Sequence, residues 1–239
     1  MGSGTNEPDG TNRAALAVLT AEIVECRRCP RLVAWREQVA RDKVKRFRDE
    51  PYWGRPLPGF GDPDGRILLI GLAPAAHGGN RTGRVFTGDA SGDFLWAALH
   101  GCGLADRPAS RRADDGLTLT DTYIAAAVRC APPLNRPTNE ERDACAPFLL
   151  REISLLANLR VMVALGQFGW DAALRALAGL DHTTRPKPRF GHGAEAAIGP
   201  YVLLGTYHPS QQNTFTGRLT PAMFDAVIAR AVDLGRRSA

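Results

Sequence analysis

A histidine followed by a polar loop is the part of this sequence best suited to chemistry. His208 comes directly after the apolar run 201–207, whose length and β-branched or aromatic residues predict a buried strand. Open α/β sheets bind their ligands just outside the carboxyl ends of the strands. Behind the histidine, residues 209–213 supply serine, glutamine and asparagine side chains that can form hydrogen bonds with a ligand. The alternative interpretation is a strand that simply ends in a polar turn.

A second candidate site lies in the glycine-rich loop 71–89, GLAPAAHGGNRTGRVFTGD, which follows another apolar run. The loop lacks both the G-x-G-x-x-G pattern and the P-loop lysine, so dinucleotide binding and NTP hydrolysis are weak interpretations. It does hold an aromatic ring, Phe86, and an acid, Asp89. A ring, backbone donors and polar side chains are what a pocket needs to hold a planar base. The alternatives are core packing for Phe86 and a turn or helix N-cap for Asp89.

Four of the five cysteines have spacings typical of a metal site. Cys26 and Cys29 form a C-x-x-C pair, and Cys130 and Cys145 form a second pair far along the chain. Two such pairs can close a four-thiolate site for zinc or for a four-iron cluster, and spacing alone does not choose between them. Four unrelated core cysteines are the weaker alternative. Cys102 has no paired neighbour, so we expect it to be a packed thiol.

The distribution of charge favours an anionic partner. The chain has 30 Lys and Arg against 25 Asp and Glu, a modest excess of +5, but nine of the basic residues fall between Arg27 and Arg48. Aromatic residues lie within and just after this segment. A basic surface with interleaved aromatic rings suits a phosphate backbone. A solvated helix face is the alternative interpretation.

The elements that position these groups follow from the apolar pattern. Runs at 67–71, 123–128, 161–166 and 201–207 predict four strands, separated by helical patterns at 93–99, 138–156, 168–177 and 221–234. Ser91, Thr138 and Thr220 are the expected helix caps, and Thr138 with Glu141 fits a capping box. Such alternation predicts a doubly wound α/β sheet covered on both faces. We expect a disordered tail over residues 1–13 and one domain over 14–239. With no membrane span or signal-peptide pattern, we expect a cytoplasmic protein.

These motifs carry a family resemblance. The loop 71–89, the segment AAVRCAPPLNRPT over 126–138, the cysteine spacing and HPSQQNTFTGRLT over 208–220 together resemble family 5 uracil-DNA glycosylases, from Cys26 to the final helix. The resemblance implies a three-layer α/β/α sandwich with a central four-stranded parallel sheet. It implies a [4Fe-4S] cluster held by Cys26, Cys29, Cys130 and Cys145. It also implies excision of uracil from DNA, with tolerance of other deaminated bases such as hypoxanthine.

The same resemblance assigns roles to individual residues. Several glycosylase families carry an acid or an asparagine early in the first motif, but residues 74–77 here contain no carboxylate. The expected catalytic residues are therefore Asp89, Asn135 and His208. The expected base-binding residues are Gly71, Ala73, His77 and Phe86. The expected DNA contacts are Asn80, Arg81, Arg84, Ser210, Gln212, Asn213 and Arg218. We expect the residue that wedges into the duplex to lie within 211–215.

Two other function classes stay open at this point. A non-enzymatic metal-cluster protein that binds DNA and senses damage or redox state would share the cysteines and the basic surface, but would not need polar strand ends. An enzyme acting on free nucleotides is weakened by the missing phosphate-binding motifs. The expected partner of a glycosylase is single- or double-stranded DNA containing uracil or another deaminated base, bound by a monomer.

Overall fold

A six-stranded sheet forms the centre of the computed structural model, which describes residues 9–237. Its strands are Phe60–Gly61 (β1), Ile67–Gly71 (β2), Thr122–Ala126 (β3), Val161–Leu165 (β4), Glu195–Ile198 (β5) and Tyr201–Thr206 (β6). The order across the sheet is β1-β3-β2-β4-β6-β5. The four inner strands are parallel, whereas β1 and β5 pair antiparallel at the two edges. The predicted four-stranded parallel sheet is thus confirmed, with two short edge strands added.

Within residues 9–237, eight helices surround the sheet. They are Asp9–Val24 (α1), Pro30–Asp42 (α2), Gly79–Thr82 (α3), Ala90–Gly101 (α4), Asn139–Leu155 (α5), Gln167–Ala178 (α6), Gln211–Phe215 (α7) and Pro221–Arg236 (α8). Two single 3₁₀ turns, Lys45–Phe47 and Pro133–Asn135, interrupt the loops. All four helices predicted from the sequence are present as α4, α5, α6 and α8.

Each face of the sheet buries its own apolar core. On one face, helices α1, α5 and α6 contribute Leu19, Phe148 and Trp170 among others. On the other face, α4 and α8 contribute Trp96 and Phe224. Because the parallel strands are buried on both faces, they are continuously apolar instead of alternating. The predicted three-layer α/β/α sandwich is confirmed.

The helix caps explain where the helices begin. Thr138 accepts a hydrogen bond from the backbone N–H of Glu141, whose side chain accepts one from the N–H of Thr138, so the predicted capping box is present. Thr220 caps α8 as expected. Helix α4 differs, because its N-cap is Asp89 and not Ser91, so this helix begins earlier than predicted.

The amino-terminal region departs from the expectation of a tail. Residues 1–8 lie outside the described residues, but residues 9–13, which the sequence analysis also assigned to the tail, form the beginning of α1. Of the helices within residues 9–237, none is both long enough and apolar enough to cross a membrane.

Candidate active site

The carboxyl ends of the parallel strands open into one large cleft. Its volume is about 1740 Å³, well above the 300–1000 Å³ typical of a small-ligand pocket, so the cleft has room for more than a single base. The cleft walls come from the loops after β2, β3 and β6. They include nine of the predicted site residues, Gly71, Ala73, Arg81, Phe86, Asp89, Asn135, His208, Ser210 and Gln212. The structure therefore brings together residues that are more than 130 positions apart in the chain.

His208 stands at the end of β6, with its backbone held in place by its own loop. The carbonyl of His208 accepts hydrogen bonds from the backbone N–H of Ser210 and from Nδ2 of Asn213, both at 2.8 Å. Burial lowers the pKa of the imidazole from 6.5 to about 4, because charging the ring would cost its desolvation. At neutral pH the ring is therefore uncharged, with one N–H to donate and one nitrogen to accept.

The Phe86 ring forms a flat wall of the cleft close to this histidine. The two ring centroids lie 6.1 Å apart, with an angle of 32° between the planes. Phe86 has a left-handed backbone, φ 52°, and its carbonyl accepts the indole N–H of Trp96 at 2.7 Å. A Cβ at Gly71 would lie only 2.7 Å from Cζ of Phe86, so the absent side chain is what lets the ring lie against the end of β2.

Asp89 combines a structural position with a place on the cleft wall. Its Oδ1 accepts the backbone N–H of Gly92 at 2.9 Å, which is the N-cap interaction of α4. Its other oxygen lies against Gly78, where a Cβ would come within 2.1 Å of Oδ2. Burial raises the pKa of Asp89, and the N–H groups of Gly92 and Ser91 act in the opposite direction. Asp89 is thus the N-cap of α4, which was the alternative interpretation of this residue, and it also lines the cleft.

The turn after β3 presents two strained residues to the cleft. Leu134 and Asn135 both have left-handed backbones, with φ of 53° and 55°. That conformation costs on the order of 1 kcal/mol for a residue with a Cβ. Both side chains are exposed, and Leu134 is 83% exposed.

Arginines give the cleft a basic wall. Five of them line it without being buried, namely Arg46, Arg55, Arg111, Arg112 and Arg136. Arg55 and Arg112 pair with exposed acids, and Arg111 lies 3.6 Å from Asp93. Exposed pairs of this kind are weak and can exchange for a phosphate. Arg111 and Arg112 were not predicted from the sequence, because they lie in a loop far from every motif.

The comparisons with known proteins agree with this arrangement. Residues 58–231 match the model of the uracil DNA glycosylase superfamily. The chain is 56% identical to the type-5 uracil-DNA glycosylase of Mycobacterium tuberculosis (strain CDC 1551 / Oshkosh) over 92% of this chain and 82% of that protein. The chain belongs to the type-5 uracil-DNA glycosylases. The type-5 enzyme of Thermus thermophilus is 55% identical over 87% of this chain and 93% of its own length. A type-4 uracil-DNA glycosylase of Pyrobaculum aerophilum is 35% identical over 64% of this chain and 71% of that protein.

Three predicted DNA contacts of this type-5 family member are largely buried. Asn80 is fully buried, and its Nδ2 donates to the carbonyl of Arg36 at 3.2 Å. Arg84 is 6% exposed and donates to Asp115 at 2.7 Å and to Ser110 at 2.9 Å. Arg81 lines the cleft, but its guanidinium pairs with Glu50 and lies 3.8 Å above the Phe47 ring. Burial argues against DNA contact by Asn80 and Arg84, because the loop folds inward and both side chains bind groups of the protein interior. Arg81 is largely buried but still lines the cleft, so its contact with DNA stays a prediction.

Three more predicted residues lie near the cleft without lining it. His77 shares a hydrogen bond of 3.0 Å with the Tyr52 hydroxyl, and burial lowers the pKa of this histidine. His77 was expected to bind the base, but it lies outside the cleft wall. Asn213 supports the backbone of His208, as described above. Arg218 is exposed and lies 4.5 Å above the ring of Tyr207.

The basic segment 27–48 is only partly available to a ligand in this family member. Arg46 lines the cleft, but Arg31 pairs with Glu141 at 2.7 Å and Arg27 pairs with Glu37. Arg36 is buried, with 2% of its surface exposed. Much of the segment therefore stabilises the amino-terminal helices, and its contribution to the cleft is small.

Cys29, Cys130 and Cys145, with Cys26 close by, pack together next to the cleft wall, and we call this cluster the cysteine pocket. Cys29, Cys130 and Cys145 share a small apolar cluster with Leu32 and Val128, and Ala73 of the cleft wall packs against it. Burial raises the pKa of Cys29 to about 11 and that of Cys130 to about 12, with a further rise from neighbouring cysteines, Cys26 among them. Nη1 of Arg36 donates to Sγ of Cys130 at 2.9 Å. Over residues 9–237, however, no three His, Cys, Asp or Glu side chains lie close enough to hold a single metal ion.

Proposed function

We propose that this chain removes uracil from DNA by hydrolysing the N-glycosidic bond, leaving an abasic site. The observation that carries the proposal is the family match over residues 58–231, which spans the loops that build the cleft. The chemistry of the cleft supports the same reaction. A neutral histidine, a carboxyl group, an amide and an aromatic ring all face one space that is large enough for a flipped nucleotide.

The reaction requires the nucleotide to leave the duplex first. The glycosidic bond is inaccessible inside a base stack, so the enzyme extrudes the base at a cost of a few kcal/mol. In this proposal the Phe86 ring stacks on the extruded base, and backbone N–H groups among residues 72, 73 and 75 of the cleft wall bind its edge. Gly71 and Ala73 contribute by being small, which leaves the ring and the backbone accessible.

His208 then stabilises the departing base. As the C1′–N1 bond breaks, negative charge accumulates on the uracil ring and positive charge on the sugar. Because a pKa of about 4 leaves the imidazole neutral at pH 7, its remaining N–H can donate a hydrogen bond to a carbonyl oxygen of the uracil. That N–H is too weak an acid to be transferred to the base, so the stabilisation is by hydrogen bonding. A well-placed donor of this kind lowers the barrier by roughly 3 kcal/mol.

Asp89 and Asn135 act on the other reactant. We assign to them the positioning of the attacking water and, for the Asp89 carboxylate, the stabilisation of positive charge on the sugar. The backbone N–H groups that Asp89 accepts favour its ionised form against the effect of burial. Among the predicted DNA contacts, Ser210, Gln212 and Arg81 line the cleft and Arg218 is exposed, so they stay candidates, and the exposed arginines of the cleft join them.

A strand-cleavage assay tests the function. A uracil-containing duplex is incubated with the enzyme and then treated with alkali, which breaks the strand at abasic sites. We expect cleavage with the wild-type protein and a reduction of about 100-fold or more with His208→Ala. The matched control is His100→Ala, because His100 is exposed at the end of α4, away from the cleft walls. Equal activity of the two variants would contradict the role of His208.

We further propose that Cys26, Cys29, Cys130 and Cys145 hold a [4Fe-4S] cluster. The four thiols come from two distant segments, and the N–H groups of Arg36 and of the Arg129 backbone point at sulfurs, as is common around such clusters. When bound, the cluster would cross-link the amino-terminal helices to the loop after β3. Analysis for iron and sulfide would find about four of each per chain. A colourless protein with one zinc ion would contradict this assignment.

The remaining expectations stay as proposals. Excision of hypoxanthine or other deaminated bases, a monomeric state and a cytoplasmic location fit a repair enzyme. Competition between uracil and hypoxanthine duplexes in the same assay would measure the first of these. The alternative of a non-enzymatic damage sensor is not favoured, because it gives no reason for a histidine, an acid and an amide to share one cleft.

A further inference from the structure

Leu134 is an apolar side chain that the fold holds out into solvent. It is 83% exposed, the highest value among large apolar side chains of residues 9–237. It lies on the wall of the cleft beside Asn135 and Arg136, so it faces the space that the proposed function gives to DNA. A side chain exposed in this way contributes nothing to the core, and its place on the cleft wall makes it available to a ligand that enters the cleft.

The backbone around Leu134 keeps the side chain in this position. The residue is left-handed, φ 53° and ψ 25°, and Asn135 next to it is left-handed as well. Pro132, Pro133 and Pro137 restrict the flanking backbone, and the N–H groups of Asn135 and Arg136 close the turn onto the carbonyls of Pro132 and Pro133. Strain without compensating packing points to a functional constraint on this turn.

We infer that Leu134 is the wedge residue, which enters the base stack where the extruded nucleotide leaves a gap. This inference rests on the proposed function. Proteins that distort DNA insert leucine, phenylalanine or methionine between base steps, and an apolar side chain is well suited to replace a stacked base. The exposed arginines of the same cleft favour a duplex as the occupant over an apolar protein surface.

Phe215 is the natural alternative, since it is 81% exposed and lies in the segment 211–215 where the sequence predicted the wedge. It stands at the carboxyl end of α7, however, and only Ser210, Gln211 and Gln212 of that region reach the cleft wall. The position of Leu134 beside Asn135, on the cleft wall itself, favours the turn after β3.

The test compares duplex with single-stranded substrate. Single-turnover excision is measured for Leu134→Ala, Leu134→Met and Phe215→Ala on a uracil-containing duplex and on the same strand alone. We expect Leu134→Ala to be slower by about 10- to 100-fold on the duplex, because about one leucine side chain of apolar contact is lost. On the single strand, which has no partner strand to leave, its rate should stay within about 3-fold of wild type.

The other variants are controls for folding and for exposure. Leu134→Met keeps an apolar side chain on the same turn and should restore most of the duplex rate, whereas Phe215→Ala should affect neither substrate. Fluorescence of 2-aminopurine placed beside the uracil should rise on binding of wild type and remain low with Leu134→Ala. Equal losses on both substrates, or a loss only with Phe215→Ala, would overturn the wedge role. Lack of excision by the wild-type protein would instead contradict the proposed function.

Discussion

Asp89 shows how one side chain serves both the fold and the site. Its Oδ1 caps helix α4, and its carboxyl also faces the cleft. An N-cap is worth about 1 kcal/mol, whether the residue is aspartate or asparagine. A charged group that stabilises an oxocarbenium ion cannot be replaced by an amide in the same way. The two roles are therefore separable by substitution.

We predict that Asp89→Asn keeps the stability of the protein within about 0.5 kcal/mol of wild type and loses most of the excision rate. Asp89→Ala should lose the activity and also about 1 kcal/mol of unfolding free energy. Chemical denaturation and single-turnover excision measure the two effects. If Asp89→Asn excises uracil as fast as wild type, the carboxylate has only its capping role.

His208 makes a prediction about pH. The imidazole has a pKa of 6.5 in the unfolded chain and about 4 in the native protein. As the pH falls from 6.5 towards 4, the unfolded state takes up a proton that the native state does not, so the native state loses stability. The stability that the native protein gains from an uncharged His208 is fully present above pH 6.5 and is lost below pH 4.

Between pH 7 and pH 4.5 we expect wild type to lose about 2 kcal/mol of unfolding free energy relative to His208→Asn, whose amide does not titrate. Urea denaturation of both proteins across this range measures the difference, and the other titrating groups cancel in the comparison. Parallel stability curves for the two proteins would show that His208 is not held neutral by burial.

At the scale of elements, helix α5 connects distant parts of the chain. Its first turn carries the capping box of Thr138 and Glu141, its middle supplies Cys145, and its end supplies Glu152. Glu141 also pairs with Arg31 of α2. Glu152 pairs with Arg129 in the buried loop after β3. Helix α5 thus connects the cysteine pocket with α2 and with the loop after β3.

We predict that Thr138→Ala lowers the unfolding free energy by about 1 kcal/mol, because the backbone N–H of Glu141 loses its acceptor. Thr138→Ser keeps the hydroxyl and should remain within a few tenths of a kcal/mol of wild type. Thermal and chemical denaturation both measure the difference. A similar loss with serine would mean that the methyl group, and not the cap, contributes the stability.

The parallel strands and their helices could be predicted from the sequence, whereas the edges of the sheet could not. Runs such as 67–71 and 161–165 are apolar throughout because both faces of these strands are buried. Strand β1 has two residues, and β5 has mostly exposed or half-buried ones, so neither has a clear pattern. Strand β1 pairs with β3, which is distant from it in the sequence. Strand β5 pairs with β6 through a tight turn between them.

Site residues that follow the ends of strands could be predicted from the sequence. Whether a polar loop residue is buried or exposed could not. His208, Phe86 and Asp89 follow strands, so their meeting could be expected from topology. Arg84 and Asn80 are polar residues in a glycine-rich loop, which is typical of a surface. Their burial depends on partners such as Asp115 and Arg36, and no local pattern indicates which partner a polar side chain will find.

At the scale of the whole molecule, the cysteine pocket joins the amino-terminal helices to the sheet. Leu32 and Cys29 come from the start of α2, and Cys130 and Val128 from the loop after β3. Asn80 adds a second connection, because it binds the Arg36 carbonyl from behind the cleft. Helix α1 packs separately, with Leu19 and Ile23 in one of the two main cores.

We predict that Cys145→Ser loosens α2 more than α1, because α2 depends on the pocket and α1 on its own apolar packing. Hydrogen exchange should become faster by about 10-fold or more in residues 30–42, as expected if local opening costs at least 1.4 kcal/mol less. Iron content should fall at the same time. The matched control is Cys102→Ser, since Cys102 packs against the other core and should leave both readouts unchanged.

The cysteine pocket also has a consequence for biosynthesis. Cys26 and Cys29 emerge from the ribosome first, and Cys145 follows Cys26 by 119 residues. At about 5–20 residues per second, roughly 6 to 24 seconds of translation separate the two. During that interval the first pair of thiols has neither its partners nor the Phe168 and Val128 side chains that later shield the pocket. The nascent chain thus passes through a stage in which this pair is open to oxidation, and faster elongation shortens it.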